Sequence, residues 1–195
     1  MLGPRFDNAL LFAAELHRAQ RRKGTAIPYL AHLLGVTSLV LEHGGDEDEA
    51  IAALLHDAVE DHGGAPVLAE IRRRFGERVA DIVAACSDTV ETPKPPWRER
   101  KRAYLAHLET ATPSVLLVSA ADKLHNARTI LADFRREGEA VWTRFNGGRE
   151  GTLWYYRALA EAFTRLGPIE LAEELARVVA ALPEDAPPAP GDPMA

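Results

Sequence analysis

The stretch Leu54-Leu55-His56-Asp57-Ala58-Val59-Glu60-Asp61 places four metal-ligand or acid-base side chains within about one and a half turns of a helix. A helix turns about 100° per residue, so the histidine and the three acids of this stretch share an arc of roughly 140°. The apolar residues around them occupy the opposite arc. The stretch therefore predicts a helix with one face in the core and the other face available for chemistry.

A solvated surface is the simplest alternative for a helix face that carries acids and a histidine. Such a face typically places Lys or Arg four residues from its acids, yet no Lys or Arg occurs between Ile51 and His62. The acidic face therefore needs positive charge from outside the helix, and a divalent metal ion would supply it.

The same pattern analysis predicts an all-α chain. Asp46 and Glu49 can form a capping box before the central helix, Gly63-Gly64 can end it, and Thr112-Pro113 can begin a long helix that Gly138 stops. The predicted helices are 5–23, 30–43, 46–62, 65–74, 76–87, 97–109, 112–136, 149–166 and 168–182. The segment 138–148 is expected to connect two helices, and the three prolines of 89–96 predict a loop. We expect one domain over residues 1–182 and a mobile, Pro-rich acidic tail over 183–195.

Composition narrows the class of protein. The chain has 195 residues, enough for one domain with a sizeable core, and no run of eighteen apolar residues or signal-peptide core, so we expect a cytoplasmic protein. Cys86 is its single cysteine, which excludes a thiolate metal cluster. The net charge of −6 argues against nucleic acid as a partner, so an anionic ligand would need a local basic patch. The oligomeric state is left open, with a homo-oligomer among the alternatives.

A metal site built on helices needs ligands from several of them. His32 and Asp122 are candidates on other helices, although a lone histidine in a first turn is often a cap and a lone aspartate is often a surface acid. With His56 and Asp57 they would provide two imidazoles and two carboxylates. Such a set suits Mn, Fe, Co or Zn better than Ca.

Several sequence blocks occur in an order that resembles the HD superfamily of metal-dependent phosphohydrolases, and within it the stand-alone small alarmone hydrolases of the RelA/SpoT family. The blocks are Arg22-Lys23-Gly24-Thr25, Pro28-Tyr29-Leu30-Ala31-His32, Leu54 to Asp61, Glu99-Arg100-Lys101-Arg102 and Ala121-Asp122-Lys123-Leu124-His125-Asn126-Ala127-Arg128-Thr129. The resemblance implies a single HD-domain helical bundle of about eight to ten helices. It also implies that no synthetase accompanies the hydrolase.

The resemblance further implies hydrolysis of the 3′-pyrophosphate of guanosine 3′,5′-bispyrophosphate (ppGpp) or its pentaphosphate relative. One Mn²⁺ ion, or another divalent transition metal, would be held by His32, His56, Asp57 and Asp122 and would present hydroxide to the phosphorus. Glu60 and Asp61 are the expected proton-transfer groups, with their separate roles left open. The expected substrate contacts are Arg22, Lys23, Arg98, Arg100, Lys101, Asn126 and Arg149.

The chain departs from the family pattern mainly where the base is expected. Lys23 stands where the family usually has Arg, Ile27 where it usually has an acid, and Leu33 where it usually has Pro. An adenosine-type alarmone or NADPH is therefore the alternative substrate for the same machinery. A sensor that only binds nucleotide is disfavoured, because it would have no use for both Glu60 and Asp61.

Overall fold

A computed structural model describes residues 1–87 and 95–183 of the chain. These residues form ten α-helices and one 3-10 helix. The α-helices are α1 Pro4–Leu16, α2 Leu30–Glu42, α3 Glu47–Leu55, α4 Ala58–His62, α5 Ala65–Phe75, α6 Glu77–Cys86, α7 Trp97–Leu108, α8 Pro113–Glu137, α9 Gly148–Leu166 and α10 Ile169–Ala180, and the 3-10 helix is Gly138–Arg144. Residues 1–87 and 95–183 contain no β-strand, only an isolated bridge between Arg21 and Pro28. The predicted all-α fold is confirmed.

Helix α8 lies at the centre of the bundle and packs against α2, α3, α6, α9, α10 and the 3-10 helix. Its residues from Val115 to Asp122 are all buried, as expected of a helix surrounded by others rather than lying on a surface. Leu33, Leu54, Leu124 and Phe163 are fully buried side chains of the core. A functional group on α8 is therefore held from several sides.

The predicted helix boundaries hold where a side chain or a glycine specifies them. Asp46 and Glu49 form both hydrogen bonds of the capping box, at 3.0 and 2.8 Å. Thr112 accepts a hydrogen bond from the Val115 amide at the start of α8. Gly138, with φ of 61°, ends that helix in a conformation that disfavours other residues.

The first helix ends earlier than predicted, at Leu16 rather than near residue 23. Residues 17–23 instead turn back toward α2: the Arg22 amide donates to the Ile27 carbonyl at 2.9 Å and the Tyr29 amide to the Gln20 carbonyl at 3.0 Å. Gly24, with φ of 73°, allows the chain to reverse between them. The prediction was wrong because helical periodicity does not detect these backbone pairs within residues 20–29.

The central helix is also not continuous, because α3 ends at Leu55 and α4 begins at Ala58. His56 Nδ1 lies 2.8 Å from the carbonyl oxygen of Ala53. That carbonyl is the one the Asp57 amide would use in an uninterrupted helix, so the side chain competes with the backbone. The helix is therefore interrupted at His56 and Asp57, the two adjacent candidate metal ligands.

Two predicted segments fall on residues outside the described ranges. The 89–96 loop lies there up to residue 94, and the 183–195 tail lies there from residue 184 onward. Both stay predictions. Among the helices that are described, none combines the length and the apolar character needed to cross a lipid bilayer.

Candidate metal centre and active site

Three separate parts of the chain bring two imidazoles and two carboxylates together. His32 lies in the first turn of α2, His56 and Asp57 lie between α3 and α4, and Asp122 lies on α8. One ligand atom from each of His32, His56 and Asp57 lies within 4.8 Å of the others. Asp122 Oδ1 is 3.2 Å from His32 Nε2 and 3.5 Å from His56 Nε2. The four side chains that the sequence singled out as candidate ligands are therefore neighbours.

The two imidazoles present unpaired nitrogens to this cluster. His56 Nδ1 lies 2.8 Å from the Ala53 carbonyl oxygen, so it carries a ring proton and Nε2 is the nitrogen that faces the carboxylates. Burial would lower the pKa of His56, but Asp57 and Asp122 raise it well above its usual value, so without a metal Nε2 also holds a proton, which a bound cation would replace. Within the described residues, Nε2 of His32 and Nε2 of His56 have no well-oriented hydrogen-bond partner, and both side chains are almost fully buried. Two buried imidazole nitrogens that face carboxylates without a well-aligned hydrogen bond are the atoms to which a cation would bind as it displaces a proton, so the cluster fits a metal cation.

The carboxylates of the cluster are anionic. Burial would raise the pKa of Asp57, but the charge of His56 and hydrogen bonding to both histidines hold that pKa well below its usual range. Burial opposes ionisation of Asp122 in the same way, and Lys123 outweighs it, so the pKa of Asp122 is also well below its usual range. Two negative charges and two imidazoles in a buried position can balance a divalent ion.

Each candidate ligand is oriented by a neighbour. The Tyr29 hydroxyl donates to Asp57 Oδ2 at 2.6 Å, and His125 Nδ1 lies 3.0 Å from His32 Nδ1. Asp122 accepts from two further side chains, Lys123 Nζ at 2.5 Å and Asn126 Nδ2 at 2.6 Å. Tyr29, Lys123 and His125 belong to the sequence blocks quoted above but are not among the predicted site residues. The one-turn spacings of Tyr29 from His32 and of Asn126 from Asp122 are the local signals that point to them.

Glu60 and Asp61 lie on α4, one turn beyond Asp57. The Asp61 amide donates to the Asp57 carbonyl at 3.0 Å, and Asp61 Oδ2 accepts from Gln20 Nε2 at 2.7 Å. Partial burial, with the nearby charges of Asp57 and Glu60, raises the pKa of Asp61. A carboxyl group whose pKa is raised exchanges protons more readily near neutral pH, which suits a proton-transfer group.

A cleft opens beside the cluster as two adjoining cavities of about 210 and 290 Å³. Both are lined by Lys23, Asn126, Arg144, Phe145 and Tyr156. Arg22 and Tyr29 line the first cavity, and a further set of cations and aromatic rings lines the second: Trp97, Lys101, Lys123 and Tyr155. Cations beside aromatic surfaces suit a ligand with phosphate groups and a planar base.

Four of the predicted substrate contacts line this cleft, namely Arg22, Lys23, Lys101 and Asn126. The structure does not bring Arg98, Arg100 and Arg149 to the same walls. The Arg98 guanidinium lies 4.7 Å from the centre of the Trp154 ring, and Arg100 Nε donates to the Pro95 carbonyl at 3.1 Å. Arg149 lines a separate cavity along α9. A dense run of charge in the sequence does not reveal which of its members point inward. Arg144, which lines both cavities, lies outside every quoted sequence block.

Comparison with known proteins identifies the family of this chain. The family model described as "HD domain" matches residues 9–153. A guanosine-3′,5′-bis(diphosphate) 3′-pyrophosphohydrolase, MESH1, from Xenopus tropicalis is 42% identical over 122 residues, which is 61% of this chain and 65% of that protein. MESH1 from Drosophila melanogaster is 31% identical over 150 residues, covering 72% of this chain and 81% of that protein.

The fold of this chain is also similar to that of a protein of known structure. A solved structure described as a metazoan orthologue of SpoT that hydrolyses ppGpp and plays a role in starvation responses superposes with a TM-score of 0.76. It is 24% identical, and the superposition covers 92% of this chain and 96% of that one. At this identity the superposition establishes the helical fold.

Proposed function

This chain belongs to the HD domain family and is homologous to the MESH1-type stand-alone hydrolases, and from this premise we propose that it removes the 3′-pyrophosphate from ppGpp or its pentaphosphate relative. Water would cleave the bond between the 3′ oxygen and its phosphorus, releasing pyrophosphate and leaving a 3′-hydroxyl group. The observation that carries the proposal is the convergence of two buried, unpaired imidazole nitrogens on two ionised carboxylates.

We propose that His32, His56, Asp57 and Asp122 hold a divalent ion and that Mn²⁺ is that ion. Nitrogen and carboxylate donors without thiolates support a transition metal of this kind. When bound, the ion supplies Lewis acidity, which neutralises phosphoryl charge and lowers the pKa of water. Tyr29 and Asn126 keep the two carboxylates turned into the cluster by donating to them.

Glu60 and Asp61 are the proposed proton-transfer groups of the reaction. Both lie one turn from Asp57 on α4, close enough to the cluster for the charge of Asp57 to act on Asp61. One carboxylate would accept the proton of the attacking water, and the departing 3′ oxygen needs a proton in return. General acid-base catalysis of this kind contributes about 10²- to 10⁴-fold to a rate.

The cleft would hold the anionic parts of the substrate. Lys23, Lys101 and Lys123 line the cavity next to the cluster and would meet the phosphate groups, whereas the Arg144 guanidinium in the same wall is paired with Asp133 and Glu137. Lys123 Nζ also donates to Asp122 Oδ2, so it joins the phosphate side of the cleft to the proposed metal site. Tyr155, whose ring lies 5.0 Å from Lys101 Nζ, offers an aromatic wall to the nucleoside.

The test is an incubation of purified protein with Mn²⁺ and ppGpp, followed by ³¹P NMR and chromatography of the products. The proposal expects pyrophosphate and guanosine 5′-diphosphate from the wild type. Asp57→Asn should lose at least a hundredfold in rate and bind Mn²⁺ more weakly, whereas Asp7→Asn, an exposed change in the first turn of α1, should behave as wild type.

Matched incubations with the adenosine analogue of ppGpp and with NADPH distinguish the alternative substrates. A faster reaction with either would replace the guanine assignment and keep the metal site. No product from any of the three would refute the proposed hydrolase.

A further inference from the structure

A second polar cluster lies beside the proposed metal ligands and outside their set. It consists of His17 and Gln20 after α1, with Asp61 and His62 on α4. Gln20 Oε1 lies 2.6 Å from His17 Nδ1 and 2.9 Å from His62 Nε2. Gln20 Nε2 donates to Asp61 Oδ2 at 2.7 Å. One amide therefore contacts two imidazoles through its oxygen and a carboxylate through its nitrogen.

The chemistry of these groups fixes the orientation of the amide. An ionised carboxylate only accepts hydrogen bonds, so the NH₂ group of Gln20 must face Asp61. The amide oxygen then faces both imidazole nitrogens, and each of them must carry a proton to donate to it. The two lone pairs of the oxygen are sufficient for the two donors. His62 Nε2 also lies 3.2 Å from His17 Nδ1, and because both nitrogens donate to the amide oxygen in this arrangement, neither accepts from the other.

The burial of His17 agrees with this arrangement. Its side chain is 2% exposed, and its Nε2 has no hydrogen-bond partner among the described residues. With the proton on Nδ1, the unpaired atom is a bare lone pair rather than a buried N–H group, which is the less costly alternative. His17 also stacks on the ring of Tyr29, with 5.2 Å between centroids, and Tyr29 donates to Asp57. The cluster is thus adjacent to the metal ligands.

We propose that Gln20, itself held by the N–H groups of His17 and His62, is a positioning residue that keeps the Asp61 carboxylate in one orientation as the proton acceptor of the reaction. This inference rests on the proposed function and assigns the acceptor role to Asp61 rather than Glu60. An exposed aspartate on a five-residue helix would otherwise sample several rotamers, and each of them would lower the fraction of productive encounters.

A double-mutant cycle tests whether Gln20 acts through Asp61. In Mn²⁺-loaded enzyme, Gln20→Met should lower kcat about tenfold with little change in KM, and Asp61→Asn should lower it by a hundredfold or more. In the Asp61→Asn background, Gln20→Met should cost less than twofold further, because the group it positions is already gone. Equal tenfold losses in both backgrounds would show a general structural role and overturn the proposal.

A pair of variants at His62 separates hydrogen bonding from packing. His62→Gln keeps an N–H donor near the position of Nε2 and should retain kcat within about twofold of wild type. His62→Leu keeps bulk without a donor and should lose about fivefold. If the two variants have the same kcat, the N–H group of His62 does not hold Gln20, which would overturn that part of the proposal. This pair of variants also tests the proposal if Gln20→Met fails to fold, because His62 is only half-buried and its replacement disturbs the core less.

A spectroscopic measurement tests the cluster without relying on turnover. Long-range ¹H–¹⁵N spectra of the full chain, recorded without paramagnetic Mn²⁺, should show His17 as the Nδ1–H tautomer and His62 with a protonated Nε2. An unprotonated Nδ1 on His17 would overturn the proposed arrangement. An inactive wild type would refute the proposed function and the positioning role together, whereas an active wild type with an unaffected Gln20→Met variant would refute the positioning role alone.

Discussion

Replacing Tyr29 by phenylalanine removes one hydroxyl group that touches the proposed metal site. That hydroxyl donates to Asp57 Oδ2 at 2.6 Å, while the ring keeps its stacking contact with His17. A hydrogen bond to a charged group is worth about 1.5–3 kcal/mol, and about 1.4 kcal/mol corresponds to a factor of ten in affinity. We therefore expect Tyr29→Phe to weaken Mn²⁺ binding roughly ten- to hundredfold, the range typical for groups that orient metal ligands.

Isothermal titration calorimetry with Mn²⁺ measures this effect directly, and Tyr104→Phe is the matched control. The Tyr104 hydroxyl donates to Ser119 Oγ at 2.8 Å in the core and touches none of the candidate ligands, so its loss should lower stability and leave the Mn²⁺ affinity within about twofold. At a Mn²⁺ concentration that stabilises the wild type, Tyr29→Phe should also show a smaller rise in Tm. Equal Mn²⁺ affinities for Tyr29→Phe and Tyr104→Phe would refute the reasoning.

Three further predictions concern other parts of the molecule. A Cβ atom on Gly35 would lie 2.3 Å from the His125 ring, so Gly35→Ala should displace that ring, cost about 1–3 kcal/mol by chemical denaturation and weaken Mn²⁺ binding; unchanged values would contradict the contact. Asp46→Ala should cost about 1 kcal/mol of stability at neutral pH. Partial burial would raise the pKa of Asp46, but the hydrogen bond from the Glu49 amide and the pairing with Arg78 hold that pKa below its usual value of 3.8. The difference in stability between wild type and variant should therefore persist above pH 3.8 and vanish as acid protonates Asp46. A stability difference that does not depend on pH would contradict this explanation. Lys101→Met should raise KM for ppGpp about tenfold or more with a smaller change in kcat, and steady-state kinetics that show the reverse would exclude a role in substrate binding.

The parts of the fold that follow from local chemistry could be predicted from the sequence. Asp46 with Glu49 and Thr112 with Pro113 specify helix starts through their own side chains, and the structure contains these caps. The end of α1 and the break at His56 could not be predicted in this way. The first depends on backbone pairing across residues 20–29, and the second depends on the His56 imidazole reaching the Ala53 carbonyl three residues earlier. Apolar periodicity detects neither contact.

Some residues of the candidate site could likewise be predicted from the sequence, and others could not. His56 and Asp57 could be singled out by their acidic helix face, whereas His32 and Asp122 were only candidates until the order of the sequence blocks indicated a resemblance to the HD superfamily. The structure brings all four side chains together. Support by Tyr29 could not be derived from spacing to Asp57, because 28 residues separate the two. The directions of the Arg98 and Arg149 side chains could not be predicted, because the orientation of a long charged side chain depends on the helices packed around it.

The most direct test of the metal site is an anomalous difference map from crystals of the full chain grown with Mn²⁺. We predict one strong peak among the side chains of His32, His56, Asp57 and Asp122, lost in crystals of Asp122→Asn. A map with no peak at this position, or with a peak elsewhere that the substitution does not affect, would contradict the proposed metal site.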